Sequence, residues 1–178
     1  MAALTLRGKA LAWLAQREHS RLELQQKLQR YAQKVEANLE DIPAVLDALE
    51  AAGHLSRARF IESRVNARLA RFGNRRIEQE LRAKGVAADD ALRAQLRDSE
   101  LARAQRVFET KFGPGCPLSP SPGSLTEAEA SAQLRARQAR FLAARGFSAE
   151  TVSQVLRRAH HPEKSIDPLP LGDEDDPL

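Results

Sequence analysis

The amino-acid sequence predicts an all-α protein. Strong helix formers dominate its 178 residues, and no segment alternates β-branched or aromatic residues with polar ones as a strand would. Apolar residues recur at intervals of three and four, which is typical of helices packed along one side. Ser, Asp, Asn and Gly residues stand where such helices would begin and end. We therefore expect about nine helices.

The first three helices are predicted before Gly53. The first runs from about residue 4 to residue 17. Ser20 and Glu23 have the spacing of a capping box, which opens the second helix. Asp41 is expected to cap the third helix, and Gly53 is expected to end it.

The central segment 57–86 predicts two helices joined at Gly73. A narrow apolar stripe follows the first of them. Gly73 is expected to end this helix in the left-handed conformation, and Asn74 is expected to cap the second helix. Gly85 then closes the second helix in a Schellman motif.

A row of basic side chains accompanies the central apolar stripe. These side chains lie about 100° round the helix from the buried face, so we expect them to be exposed. Residues 57–112 carry fourteen basic and eight acidic side chains. The candidate binding residues are Arg57, Arg64, Arg68, Arg71, Arg75, Arg76, Arg82 and Lys84.

The remaining elements follow the centre. Short helices are predicted at 88–97 and 99–112. The Pro/Gly-rich segment 113–123 cannot form regular structure and is expected to be a surface loop. A longer helix then ends at Gly146, and Ser148 caps the last helix.

A helix-turn-helix pattern occurs three times along the chain, with identical spacing in the first and third copies and a linker two residues shorter in the central copy. Because one helical pair cannot bury its apolar face alone, this repeat predicts tandem three-helix repeats that stack into an elongated, curved body. The predicted units are residues 1–55, 56–97 and 98–160. Residues 161–178, with six acidic side chains and one lysine, are predicted to be a disordered acidic tail.

Composition limits the compartment and the chemistry. Cys116 is the only cysteine, so an intrachain disulfide is impossible, and a reducing cytosol fits. No apolar run approaches the ~18 residues of a membrane span, and the N-terminal residues lack a secretory signal. We expect a cytoplasmic protein with no membrane partner.

The sequence offers no convincing catalytic or metal-binding group. His19 and His54 fall at turns between helices, where we expect them to be solvated. His160 and His161 are adjacent, so they converge poorly on one ion, and no cysteine completes a site. Cys116 lacks a neighbour that would lower its pKa. We expect no enzymatic activity, no metal and no cofactor.

The basic row is the stronger candidate for function. Lys and Arg neutralise nucleic-acid phosphates with little sequence demand. Arg pairs equally well with carboxylates, so an acidic groove on a protein is a second possible partner. Trp13, Phe60, Phe72 and Phe141 fall on or beside apolar stripes and are expected in the core, which disfavours stacking on single strands.

Three segments of the chain carry distinctive motifs. The first and third repeats contain Ser20-x-x-Glu-Leu24-x-x-Lys-Leu28 and Arg140-Phe-Leu142-x-x-Arg-Gly146-Phe147-Ser148. The centre contains Gly53-His-Leu55, Arg59-Phe60 and Arg71-Phe-Gly73-x-x-Arg76-Ile77-x-x-x-Leu81-x-x-Lys84-Gly85-Val86. In this order the three segments resemble the RecX family over roughly residues 8–158. Loop 113–123 and the acidic tail depart from the family pattern.

The resemblance implies a function. Members of this family are cytosolic bacterial regulators that bind the RecA recombinase, lie along the groove of its filament on DNA, and limit strand exchange and coprotease activity. The implied partners are therefore the RecA filament and non-specific DNA, and we expect a monomer. Two alternatives remain open: a nucleic-acid-binding module that acts without RecA, and a helical scaffold for another acidic protein.

Overall fold

The computed structural model describes residues 4–113 and 127–160, which form eight α-helices and no strand. In chain order the helices are α1 (Leu6–Leu14), α2 (Arg21–Val35), α3 (Asp41–Ala51), α4 (Arg57–Leu69), α5 (Asn74–Ala83), α6 (Asp90–Phe112), α7 (Glu127–Ala144) and α8 (Ala149–His160). The predicted all-α class is confirmed. Within these ranges no helix is both long enough and apolar enough to cross a membrane.

The first unit consists of α1, α2 and α3 around one apolar core. Leu24, Leu28 and Leu49 lie at its centre and are fully buried. Ser20 caps α2, since its hydroxyl oxygen accepts a hydrogen bond from the Glu23 backbone N–H at 3.1 Å. This confirms the predicted start of the second helix.

The second unit consists of α4, α5 and the N-terminal half of α6. Its core contains Phe60, Ile77, Leu81 and Leu96. Gly85 has a φ of 72°, and the backbone N–H that follows it returns to the Leu81 carbonyl at 3.0 Å. The predicted Schellman ending is therefore confirmed.

The third unit consists of the C-terminal half of α6 with α7 and α8. Phe108, Leu142, Phe147 and Val155 form its core. Ser148 caps α8 by accepting a hydrogen bond from the backbone N–H three residues later, at 3.2 Å. The structure thus has a three-helix arrangement around each core, with α6 shared between two of them.

The predicted break between helices 88–97 and 99–112 is wrong, because α6 is one continuous helix of 23 residues. No Gly or Pro interrupts this stretch. Asp89 provides the N-cap, and the Ser99 hydroxyl donates to the Gln95 carbonyl at 3.0 Å within the helix instead of opening a new one. This continuity accounts for eight described helices where about nine were expected.

The turn at Gly73 also differs from the prediction. Its φ is −80°, so it is extended and not left-handed, and Gly73 itself occupies the N-cap position of α5. The expectation that Asn74 caps this helix is therefore wrong. The predicted loop after Gly113, Cys116, His161 and the acidic tail lie outside the described residues.

Candidate interaction surface

The second and third units meet backbone to backbone at two glycines. The Gly73 N–H donates to the Arg145 carbonyl at 3.0 Å, and the Arg75 N–H donates to the Gly146 carbonyl at 3.1 Å. A Cβ atom on Gly73 would lie 2.3 Å from the backbone nitrogen of Phe147. Only glycine permits this approach, so the residue at 73 is set by packing between units.

A buried polar network supports the same contact. Glu100 accepts the backbone N–H of Asn74 at 2.9 Å through one oxygen and the hydroxyl of Thr151 at 3.1 Å through the other. Arg103 donates to the Phe72 carbonyl at 2.7 Å and to the Asn74 side-chain oxygen. Glu100 and Arg103 are only 5% and 6% exposed. Asn74 is therefore a tether between the units.

A pocket of about 420 Å³ opens beside this network. The turn before α5, the C-terminal half of α6 and the end of α7 form its walls. Five of its lining residues are cationic, and no carboxylate from residues 4–113 or 127–160 lines it. We name it the junction pocket; it is lined by Ala70, Arg71, Arg103, Arg106, Val107, Thr110, Lys111, Phe141 and Arg145.

Four of these cations are free of acidic partners. Arg71, Arg106, Lys111 and Arg145 form no ion pair with any residue that the structure describes. The guanidinium carbon of Arg145 lies 3.7 Å from the centroid of the Phe141 ring, so the two groups are stacked. Cationic charge thus accumulates in the pocket without compensation.

The fifth cation is structural. Burial lowers the pKa of the Arg103 guanidinium, the charge of Glu100 raises it, and the nearby charge of Arg106 lowers it. The hydrogen bonds of Arg103 to backbone carbonyls, including that of Leu96 at 3.0 Å, hold it inside the junction. Its role is therefore to join the units.

The eight basic residues predicted to bind a partner divide into two groups. Arg57, Arg71, Arg75, Arg76 and Arg82 are exposed, whereas Arg64, Arg68 and Lys84 are half-buried. Carboxylates neutralise three of the eight. The pairs are Arg68 with Glu80 at 2.8 Å, Arg82 with Glu78 at 3.5 Å, and Lys84 with Glu23 at 3.5 Å.

The other members of the row make weaker contacts. Arg64 lies 5.7 Å from the Phe60 ring centroid, and Arg57 donates to a backbone carbonyl at 2.9 Å. Arg71 and Arg76 lie 5.9 and 5.3 Å from the ring of Phe72. The uncompensated part of the predicted row is therefore concentrated at the Gly73 turn, next to the junction pocket.

The prediction from sequence did not include the pocket cations of α6 or Arg145, which follows α7. Arg103, Arg106 and Thr110 recur at intervals of three and four, which puts them on one face of α6. That spacing was a usable signal. Arg145 lies immediately before Gly146. Its place in the pocket is evident only from the structure, where the third unit packs on the second.

Four aromatic side chains were expected in the core, and the structure buries only one of the four completely. Phe60 is buried, whereas Trp13, Phe72 and Phe141 pack against the cores and remain partly exposed. Lys27 lies 4.7 Å from the Trp13 ring centroid. Phe141 alone of these four lines the junction pocket.

His19 is buried at 1% exposure, so the expectation that it is solvated is wrong. Its Nδ1 lies 3.4 Å from a Glu23 carboxylate oxygen, and burial together with the charges of Arg17 and Lys27 lowers its pKa. Burial would raise the pKa of Glu23, but hydrogen bonds from Arg17 and nearby positive charges lower it to about 2. His54 is exposed, as expected.

The first and second units meet through surface side chains. Arg59 pairs with Glu18 at 2.7 Å and donates to the carbonyls of Gly53 and His54 at 2.9 and 3.0 Å. Its side chain is 48% exposed. No group of three or more metal-ligating side chains occurs within the described ranges.

Comparison with known protein families identifies two domains in this chain. The RecX second three-helix domain matches residues 58–94, and the RecX third three-helix domain matches residues 123–156. These matches include the Gly73 turn and its counterpart at Gly146.

Whole-length relatives agree with the domain matches. A protein of Leptothrix cholodnii named regulatory protein RecX is 47% identical over 89% of this chain and 91% of its own length. Proteins of the same name from Herminiimonas arsenicoxydans and Ralstonia nicotianae are 44% and 42% identical, over 86% and 88% of this chain and 92% and 89% of their own lengths. The chain belongs to the RecX family of regulatory proteins.

Proposed function

We propose that this protein binds RecA and its filament on DNA and inhibits strand exchange and coprotease activity. It acts by binding and not by catalysis, in the cytoplasm, as a monomer and without a cofactor. Membership of a family of regulatory proteins is the observation that carries this proposal.

The charge distribution supports a polyanionic partner. Arg71, Arg75 and Arg76 surround the Gly73 turn, and no carboxylate of the described residues pairs with them. Guanidinium groups bind phosphates and carboxylates in the same bidentate geometry, so this turn suits DNA or an acidic groove on RecA. Arg57, Arg64, Arg68, Arg82 and Lys84 complete the proposed contact surface.

A charge-reversal experiment tests this assignment. The triple variant Arg71→Glu, Arg75→Glu, Arg76→Glu should lose inhibition of RecA-driven strand exchange, because it reverses the uncompensated charges. Substitutions on exposed faces usually cost under ~0.5 kcal/mol each, so the variant should stay folded. Circular dichroism and thermal unfolding check the fold.

A matched control reverses three cations elsewhere. Arg7, Arg30 and Lys34 are exposed on the first unit. Their triple change to Glu alters the net charge equally and should leave inhibition intact. Normal inhibition by the folded Gly73-turn variant would reject this surface as the contact site.

The junction pocket favours one alternative, a nucleic-acid-binding module that acts without RecA. A pull-down separates the two functions by comparing RecA filaments assembled on single-stranded DNA with naked DNA. Stronger retention on the filament supports the RecA regulator, whereas equal retention on naked DNA supports the alternative.

A further inference from the structure

We propose that the junction pocket binds one nucleotide of a single-stranded nucleic acid. Arg71, Arg106 and Lys111 hold its phosphate, and its base stacks against the Arg145–Phe141 pair. This inference rests on the nucleic-acid part of the proposed function and assigns it a site.

The charges of the pocket favour an anionic ligand. Some cations elsewhere in the described residues lie beside carboxylates, as Arg59 does beside Glu18 and Arg68 beside Glu80. Four pocket cations have no such partner among the described residues, although like charges repel each other. A phosphate group removes that repulsion, and the planar guanidinium fork matches its oxygens.

The size and the walls of the pocket favour more than a bare phosphate. Its volume of about 420 Å³ lies within the ~300–1,000 Å³ typical of small-ligand sites. Ala70, Val107 and Phe141 add an apolar wall to the cationic one. The ligand must therefore combine an anionic group with an apolar or aromatic one, as a nucleotide does.

The Arg145–Phe141 stack favours a nucleobase over an acidic side chain. The guanidinium carbon of Arg145 lies over the Phe141 ring, 3.7 Å from its centroid. Unstacked bases pack on aromatic rings and on guanidinium planes, whereas a carboxylate pairs with the guanidinium edge and gains nothing from the ring. Since paired bases are already stacked within a duplex, the expected ligand is a single strand.

Binding of the full chain to two strands of equal length tests the proposal. One strand is fluorescently labelled oligo-dT, and the other carries the same phosphates on abasic sugars. If one base stacks in the pocket, the protein should bind oligo-dT roughly tenfold more tightly than the abasic strand.

Pocket variants separate the base from the phosphate. Arg145→Lys keeps the charge but lacks the guanidinium plane, so it should lose the preference for oligo-dT while its affinity for the abasic strand is unchanged. The double variant Arg106→Ala, Lys111→Ala should weaken binding of both strands by about the same factor.

Arg97→Ala is the matched control. Arg97 is exposed on α6, has no carboxylate partner among the described residues, and lies nine positions from Arg106, about two and a half turns away and so on the opposite side of the helix. This variant should bind both strands as the unchanged protein does. Thermal unfolding of each variant verifies that it is folded.

Several outcomes would overturn the assignment. Equal affinity for the two strands, or an unchanged preference in Arg145→Lys, rules out base stacking. Displacement of oligo-dT by oligoglutamate more readily than by unlabelled oligo-dT identifies an acidic peptide as the ligand instead.

The proposed function and the pocket can fail separately. If the Gly73-turn variant loses strand-exchange inhibition while the pocket variants bind both strands normally, only the pocket assignment falls. If the unchanged protein binds neither strand, the pocket assignment and the nucleic-acid part of the proposed function fall together, and RecA binding is judged by the pull-down.

Discussion

The two junctions between successive units are held together by different kinds of contact. Partly exposed ion pairs join the first unit to the second, chiefly Arg59 with Glu18 and Lys84 with Glu23. The second unit joins the third through direct backbone hydrogen bonds at Gly73 and through a carboxylate and a guanidinium that are both buried. Units built on a similar helix-turn-helix pattern are therefore joined by different kinds of contact.

The difference follows from solvent exposure. An exposed ion pair is worth about 0–1 kcal/mol because water and salt screen it and two long side chains lose freedom. Leaving a buried charge without its partner costs about 3–5 kcal/mol. We infer that the second and third units behave as one cooperative body, whereas the first unit is attached to it more loosely.

The strongest test of this comparison is Arg103→Met. It removes the buried guanidinium and leaves the carbonyls of Phe72 and Leu96 and the side chain of Asn74 without their donor. The free energy of unfolding in urea should fall by about 3–5 kcal/mol.

Arg97→Met provides its control on the same helix, because Arg97 is exposed. That change should cost under ~0.5 kcal/mol. A loss below about 1 kcal/mol for Arg103→Met would show that the buried network does not strengthen the second junction.

A pair of glycine substitutions comes next in size. Gly73→Ala should cost about 2–3 kcal/mol, since its Cβ would meet the Phe147 backbone at 2.3 Å. Gly53 has a left-handed φ of 71° but open space around it, so Gly53→Ala should cost only about 1 kcal/mol. Urea unfolding measures both, and the reverse order would contradict the role of Gly73 at the junction.

Low pH should destabilise the first unit and its junction with the second unit. The pKa of Glu23 is about 2 in the folded protein against an ordinary 4.5, so its stabilising effect is complete above pH 4.5 and is lost as the pH falls towards 2. Glu23→Gln should lower stability at neutral pH by on the order of 2 kcal/mol, allowing for solvent screening, and most of this difference should be gone at pH 2.

Unfolding measured as a function of pH tests this expectation, with Glu62→Gln as the control because Glu62 is exposed. His19 adds a separate effect. Because its pKa is lowered below 6.5 in the folded state, its contribution to stability falls as the pH drops below 6.5. If the stability of the Glu23→Gln variant falls between pH 4.5 and pH 2 as steeply as that of the unchanged protein, the stabilising role of the Glu23 carboxylate is contradicted.

The smallest effect on stability is expected for Arg59→Ala. Removing an exposed ion pair should cost under about 1 kcal/mol, yet it frees the first unit to move relative to the second. Solution scattering should show a radius of gyration above the ~16 Å of a compact chain of this length, and a further increase in the variant. An unchanged scattering curve would show that other contacts fix this junction.

Local features of the fold were accessible from the sequence. The Ser20 cap and the Gly85 ending depend on residues within a few positions, so spacing and residue type predicted them. Gly73 was predicted to be left-handed because a glycine after a helix usually is. Its extended backbone instead reflects the approach of a segment more than seventy residues away, which spacing cannot reveal.

Only part of the candidate site, likewise, was predictable from the sequence. The basic residues of the centre were identified from their spacing, but the ion pair of Arg68 with Glu80 and the loss of its free charge were not. The junction pocket draws its walls from a turn and two helices distant in sequence, so its cations look unrelated until the units dock. Phe141 lies on an apolar stripe and also lines that pocket. The second role cannot be predicted from the sequence pattern alone.

The continuity of α6 has a consequence for protein synthesis. The N-terminal half of this helix can complete the second core as soon as Leu96 has been made, but Phe108 needs Leu142 and Phe147, roughly 35 to 40 residues later. At synthesis rates of about 5–20 residues per second, that interval lasts roughly 2–8 seconds. Until then the nascent chain presents an unpartnered apolar face, so a chain whose synthesis stops within this interval is a substrate for chaperones and proteases.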